Sequence, residues 1–290
     1  MVEVECVLGC QNRLGEGPIW CTNEQALWWV DIVAPAVHRL HPASGEHRSW
    51  PMPEPVGSLS VREGGGLVVA LARGFAAFDP ETGALEMINP CEADLPENRF
   101  NDGRCDRAGR FWAGSLPYDE STPRGALWRL EPDHTAHRVL AGITVPNGLC
   151  FSPDDRTMYF TDSPTRRIMA YDFDLATGMP SNPRPFAEVP QTAGWPDGAI
   201  VDAEGFVWSC EWDGARVVRY APDGTVDRVV AMPVPRPTCA AFGGPALDIL
   251  YITSASDRLG EAERARWPLS GNLFAIDARV RGLPDPRYKG

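Results

Sequence analysis

The sequence predicts an all-β chain folded as a six-bladed β-propeller with four strands per blade, on three observations. The first is a short apolar run ending in aromatic or β-branched residues, which recurs six times: ALWWVDI (26–32), GLVVALA (66–72), GRFWAGS (109–115), TMYFTDS (157–163), GFVWSCE (205–211) and DILYITS (248–254). Measured between Trp29, Val69, Trp112, Tyr159, Trp208 and Tyr251, the steps are 40, 43, 47, 49 and 43 residues, the period expected of propeller blades. The second is a strand pair with a central turn after every run, at 37–50, 75–88, 126–140, 168–186, 216–230 and 272–285. Its turns ASG, ETG, ATG and PDG carry the Gly, Asp and Pro that chain reversals need. The third is a strand-like piece ahead of each run, which brings the count to four strands per unit.

The remaining elements follow in order. Val2–Val7 alternates apolar with acidic residues and precedes the first unit. It is expected to pair with the last blade and close the ring, which removes an exposed edge. Helix is nearly absent, and Gly260–Trp267 is the best candidate for a short one. No segment switches composition, and the 28 Gly and 28 Pro are spread among turns. Residues 1–290 therefore read as one domain, a size that all-β folds reach without dividing.

Charge and cysteine usage exclude several classes. The net charge is −12, and no Lys/Arg cluster exists to neutralise phosphates, so nucleic acid is not an expected partner. Met1–Cys10 lacks the basic start and apolar core of a signal peptide. No run approaches the roughly 20 apolar residues of a membrane span. The expectation is a cytoplasmic protein without membrane contact, a monomer or small homo-oligomer. The eight cysteines form no CxxC pair. Cys105, Cys150, Cys210 and Cys239 fall in strand-like segments, where a free thiol behaves as a small buried hydrophobe. Cys6, Cys10 and Cys21 are near enough in sequence to approach one another.

In a propeller the first strand of each blade lines the central channel. The window 11 to 13 residues before each reference position holds Glu16, Asn101, Asn147 and Asp197 in four units. It holds Gly57–Ser58 and Thr238–Cys239 in the other two. Taken singly, Asn-Gly and Asp-Gly signal a turn. Taken together, two carboxylates and two amides converge on one mouth of the channel, where like charges without a cation would stand unpaired. Such oxygen-rich ligands suit Ca²⁺, Mg²⁺, Mn²⁺ or Zn²⁺. A ligand set this small leaves open positions for water and substrate, as catalytic sites do.

Other chemistries lack their residues. No G-x-S-x-G nucleophile elbow, P-loop or dinucleotide fingerprint is present. Histidines 38, 41, 47, 134 and 137 fall in outer hairpins, where they read as mostly solvated turn residues. That placement removes a histidine base and a Ser-His-Asp triad.

The segments LGEGPIW (14–20), NRFNDGRCDRAGRFWAGS (98–115), VPNGLCFSPDDRTMYFTDS (145–163), PDGAIVDAEGFVW (196–208) and CAAFGGP (239–245) resemble the SMP-30/gluconolactonase/LRE family of regucalcins and sugar lactonases. The resemblance runs through all six units and implies a six-bladed propeller holding one divalent metal ion. By similarity the ligands fall on Glu16, Asn147 and Asp197, with Ca²⁺ or Zn²⁺ foremost and Mn²⁺, Mg²⁺ or Fe²⁺ as further candidates. The family's RxND sugar contacts match Arg99 and Asn101. A substrate-contacting Glu of the following loop matches Asp119, with Glu120 beside it.

The function so implied is metal-dependent hydrolysis of an aldonolactone, a pentono- or hexono-lactone, to the open aldonic acid. Asp197 is the candidate general base, Arg99 and Asn101 orient hydroxyls, Asp119 or Glu120 adds a contact, and Trp195 and Tyr118 wall the pocket. The partner is then a small sugar lactone. The alternatives are a calcium-binding regulatory protein of the regucalcin kind, a fluorophosphatase- or paraoxonase-like hydrolase, and an interaction scaffold. The RFND segment favours the lactone, because a guanidinium and an amide are suited to hydroxyl groups.

Overall fold

The computed structural model describes residues 3–290. Six four-stranded antiparallel sheets make up the six blades. The inner strands are Gly15–Cys21, Val56–Val61, Asn98–Cys105, Pro146–Phe151, Trp195–Val201 and Pro237–Gly243. The recurring apolar runs form the second strands, from Ala26–Asp31 in blade 1 to Ile249–Ser254 in blade 6. Burial falls outward, since five inner strands are buried throughout while the outer strand Glu46–Pro51 is almost wholly exposed. Apolar side chains of adjacent blades fill the spaces between them, as where Trp28 and Ile19 pack with Val56 and Val69. This interlock of broad sheet faces is the core.

The ring closes as expected. Glu5–Leu8 pairs antiparallel with Leu273–Asp277 and supplies the fourth strand of blade 6. Val2, the first residue assigned to this strand, lies outside the described residues. The short helix is Glu261–Arg266, with Gly260 as its N-cap and the Glu263 carboxylate accepting from the Gly260 N–H at 3.0 Å. Among the described residues no helix is long and apolar enough to cross a membrane.

Two features depart from the sequence reading. The segment 272–285 is not a hairpin, because the N-terminal strand already occupies the fourth position of that blade. After Asp277 the chain leaves the sheet, with Pro284 and Pro286 withholding the N–H groups that a ladder needs. It then runs across the channel mouth where inner strands turn into second strands. On the way Gly282 N–H donates to Leu247 O (2.7 Å), Tyr288 N–H to Val61 O (2.9 Å) and Lys289 N–H to Gly109 O (3.0 Å). The second departure is His38, which is buried rather than solvated. It stacks on Trp29 at 5.0 Å and lies 3.2 Å from both Asn12 Nδ2 and His47 Nε2. Burial foremost, then His47, pushes it down to about 4, so it packs as a neutral ring. All eight cysteines are free thiols.

Candidate active site

At the mouth opposite the C-terminal segment the inner strands begin, and each carries a register irregularity at the same level. It falls between Glu16 and Ile19, Val56 and Ser58, Phe100 and Gly103, Asn147 and Cys150, Pro196 and Ala199, and Pro237 and Ala240. A bulge bends its strand and re-aims side chains. It therefore turns the residues before and within it toward the channel. The glycines of the Asn-Gly and Asp-Gly pairs serve these bulges rather than hairpin turns. Gly148 holds the left-handed φ of 61°, and a Cβ on Gly198 would collide with Cys239 Sγ of the next blade.

A cavity of about 580 Å³ opens at this mouth, within the range of small-molecule sites. Glu16, Arg99, Asn101, Glu120, Asn147 and Asp197 all line it, and so do Tyr118 and Trp195. Trp195 lies under the Arg166 guanidinium at 3.8 Å. Asp119 does not line the cavity: it is exposed, and its Oδ1 accepts from Ser121 N–H within its own turn. Of the two neighbouring carboxylates, Glu120 is the one that faces the site.

A hydrogen-bonded chain joins the polar lining. Arg99 Nη1 donates to Asn101 Oδ1 (2.7 Å), and Asn101 Nδ2 donates to Asn147 Oδ1 (2.9 Å) and to Pro146 O (2.9 Å). Asn147 Nδ2 donates to Ser163 Oγ (2.9 Å), which donates to Pro196 O (2.6 Å). Ser163 thus holds the Asn147 amide so that its oxygen faces Asn101, with one lone pair still free. Arg99 is buried, and its remaining Nη2 donates to Glu120 Oε1 at 3.3 Å. Glu97, its nearest carboxylate in sequence, pairs instead with Arg124.

The carboxylates lie deeper. Glu16 Oε2 accepts from Gly17 N–H at 2.7 Å. Burial, with Asp102 nearby, pushes the Glu16 carboxyl up to about 8. Burial foremost, then Glu16 and Asp102, also raises Asp197 well above the carboxylate range. Asp102 is raised by burial against the pull of Arg104, and it accepts from Leu149 N–H of the next blade at 2.9 Å. Its carboxylate, that of Glu16 and the Cys239 thiol have ligand atoms within 4.8 Å of one another. Asp197 is not part of that tightest group. Burial pushes the Cys239 thiol up, so it adds no charge.

This donor set fits a divalent ion. Three buried carboxylates that resist ionising together, beside an amide oxygen with a free lone pair, become mutually compatible when a cation stands among them. Oxygen donors of this kind match hard and borderline ions. Glu16, Asn147 and Asp197 line the cavity and could hold such an ion, with Asp102 close to Glu16. Sequence reasoning missed Asp102 and Ser163. For Asp102 a signal existed, since it completes the Asn101-Asp102-Gly103 triplet, but the reading took one polar residue per blade.

A sequence model described as the SMP-30/Gluconolactonase/LRE-like region matches residues 14–256. The chain belongs to this family. A 6-deoxy-6-sulfogluconolactonase from Pseudomonas putida is 39% identical over 288 residues, covering 99% of each chain. An L-arabinolactonase from Azospirillum brasilense is 39% identical over 284 residues, covering 97% of this chain and 93% of that one. The crystal structure of a calcium-binding protein, regucalcin, from Agrobacterium tumefaciens superposes with a TM-score of 0.96 at 31% identity, covering 100% of this chain and 98% of that one. The matched region takes in strands of every blade and most of the cavity lining, while Asp257, Arg258 and the chain that follows lie outside it.

Proposed function

We propose that the protein is a sugar lactonase that hydrolyses an aldonolactone to its aldonic acid with the help of a bound divalent ion. The observation that carries this reading is the cavity itself. It joins a cation-seeking set, Glu16, Asn147 and Asp197, to a hydroxyl-binding set, Arg99, Asn101 and Glu120. Relatives of matching length named for sugar-lactone hydrolysis support it. A site built only to bind calcium gains nothing from a buried guanidinium beside the ion, which disfavours the purely regulatory reading.

Glu16, Asn147 and Asp197 would hold the divalent ion, which would supply Lewis acidity for a carbonyl group. Arg99 and Asn101 donate to the ring hydroxyls and Glu120 accepts from one, which fixes the face that the carbonyl turns toward the carboxylates. Asp197 takes the proton of the attacking water as its oxygen bonds to the carbonyl carbon. The bond from that carbon to the ring oxygen breaks, and the ring oxygen leaves as a hydroxyl carrying the proton from Asp197. The product is a single open-chain polyhydroxy acid, with the new carboxyl group at one end and the former ring oxygen as a hydroxyl on the same chain.

Base uptake with a panel of pentono- and hexono-lactones, with and without chelator, tests the reaction. Glu16→Gln, Asn147→Ala and Asp197→Asn should each lose bound metal by elemental analysis, together with turnover. Arg99→Ala should keep its metal and lose about ten- to a hundred-fold in kcat/KM, the scale of one charge-assisted hydrogen bond. Full turnover in metal-free Asp197→Asn would end this reading.

A further inference from the structure

The rim of the cavity carries one interaction that the reaction above does not use. Arg258, on the loop between the second and third strands of blade 6, Ile249–Ser254 and Leu273–Asp277, reaches across the mouth to Glu120 of blade 3. Its Nη1 donates to Glu120 Oε2 at 2.9 Å and its Nη2 to Oε1 at 3.0 Å. This is a two-pronged fit of guanidinium to carboxylate, which fixes direction as well as distance. With Arg99 Nη2 on Oε1, Glu120 is held by three N–H donors from two blades. A carboxylate has about four in-plane acceptor sites. One therefore remains, on a residue that lines the cavity.

Both ends of this clamp are fixed against their backbone preference. Glu120 has φ 53° and Arg258 φ 57°, left-handed values that non-glycine residues hold only where the surroundings determine them. On the Arg258 side the surroundings are visible. Ser256 and Asp257 N–H groups both donate to Arg13 O (3.0 and 2.8 Å), Arg13 Nη2 pairs with Asp257 Oδ1 (2.6 Å), and Arg236 donates to Asp257 O. The clamp is no stability device, because the Arg258 side chain is 61% exposed and exposed ion pairs add little. What it does accomplish is to hold the Glu120 carboxylate at one place and angle over the cavity.

We propose that Arg258 is a specificity-determining residue, which clamps Glu120 as a fixed hydroxyl acceptor and so selects polyhydroxylated lactones over lactones bare of hydroxyls. The proposal rests on the lactonase reading for its substrate but not for its geometry. A carboxylate acceptor between two guanidinium donors matches neighbouring hydroxyls, each of which both gives and takes a hydrogen bond. An alkyl lactone offers nothing to the remaining acceptor site and leaves it desolvated and unpaired, the arrangement that discriminates most strongly.

The test compares kcat/KM for a hydroxylated aldonolactone with that for an unsubstituted lactone of the same ring size, in wild type, Arg258→Ala and Arg258→Lys. The ratio should fall ten-fold or more in Arg258→Ala. Arg258→Lys should fall nearer to Ala than to wild type, since an ammonium cannot grip both oxygens. In a Glu120→Gln background, Arg258→Ala should have little further effect on the ratio, because the two residues act as one unit. Calorimetry with D-glucitol, a polyol with no ring to open, gives a second readout: wild type should bind it and both single variants should bind it several-fold more weakly. Equal losses on both lactones, or an unchanged ratio with unchanged polyol affinity, would overturn the proposal. Wild type that opens no lactone, yet binds the polyol through Arg258 and Glu120, would sink the lactonase reading and leave the clamp standing.

Discussion

A carboxyl group such as Glu16 exerts its effect through what surrounds it. It is buried beside Asp102, accepts one N–H, and is pushed from the ordinary 4.5 up to about 8. The sign of the consequence follows from linkage. A group that binds its proton more tightly when folded stabilises the fold fully below its unfolded pKa and loses that contribution as pH rises through the folded one. Chelator-treated protein should therefore lose stability between about pH 4.5 and 8, and divalent ion should restore most at the alkaline end. Thermal melts across that window, with and without chelator, give the measurement. Glu16→Gln should flatten the chelated profile, and an equally steep profile in that variant would assign the loss to another group. At this scale Glu16, Asn101, Asn147 and Asp197 were legible from blade addresses alone. The choice between Asp119 and Glu120 was not, because it depends on how one turn rotates two adjacent side chains.

Within a blade, the motifs that made the period readable also lock the turns. CDRAGRFW and VDAEGFVW each place an Asp at the end of an inner strand and a Trp six residues on. In blade 5 Asp202 Oδ1 accepts from the Glu204 and Phe206 N–H groups, both at 3.0 Å, while Oδ2 accepts from Trp208 Nε1 (2.9 Å) and Arg219 Nη2 (2.7 Å). Asp106 does the same for Trp112 and Arg110 in blade 3, at 2.8 and 2.7 Å. One carboxylate closes the turn, satisfies a buried indole and neutralises a buried guanidinium. Asp202→Ala should cost about 3 kcal/mol, because Arg219 is left facing desolvated surroundings with only Glu204 and Asp227 as partners. Urea denaturation measures this, and a loss under 1 kcal/mol would reduce the motif to an ordinary turn. The bulges at the start of every inner strand were beyond reach of the sequence, because apolar periodicity locates a strand and not an irregularity within it. Asp102 stands in the Asn101-Asp102-Gly103 triplet, yet the sequence reading takes one polar residue per blade, because two successive residues turn to the channel only where a bulge lets them.

The whole ring has two mouths, and they differ in kind. One is the cavity, and the C-terminal segment seals the other. This segment has no apolar period to announce it, and 272–285 reads as a strand pair until the N-terminal strand is seen to hold the fourth place in blade 6. Its Asp285 reaches into the channel. Oδ1 accepts from Arg104 Nη1 at 2.6 Å, and Oδ2 accepts from Trp20 N–H of blade 1 at 2.9 Å. Burial pushes the Asp285 carboxyl up although Arg104 opposes it, so the pair exists at a desolvation cost that its attraction must offset. Arg104 stands two residues beyond Asp102 on the same inner strand, and it is the countercharge beneath the cation-seeking carboxylates. Breaking such a pair from one side leaves a buried charge uncompensated, at about 3–5 kcal/mol. Asp285→Asn should therefore lower stability by that order and weaken metal binding, since the freed Arg104 charge opposes an incoming cation. The double variant Arg104→Met/Asp285→Leu removes both charges at similar volume and should be more stable than Asp285→Asn. Urea denaturation of the three chains, with metal titration followed by calorimetry, decides the matter. If Asp285→Asn matches wild type in both stability and metal affinity, the far mouth is a passive cover with no bearing on the ion at the near one.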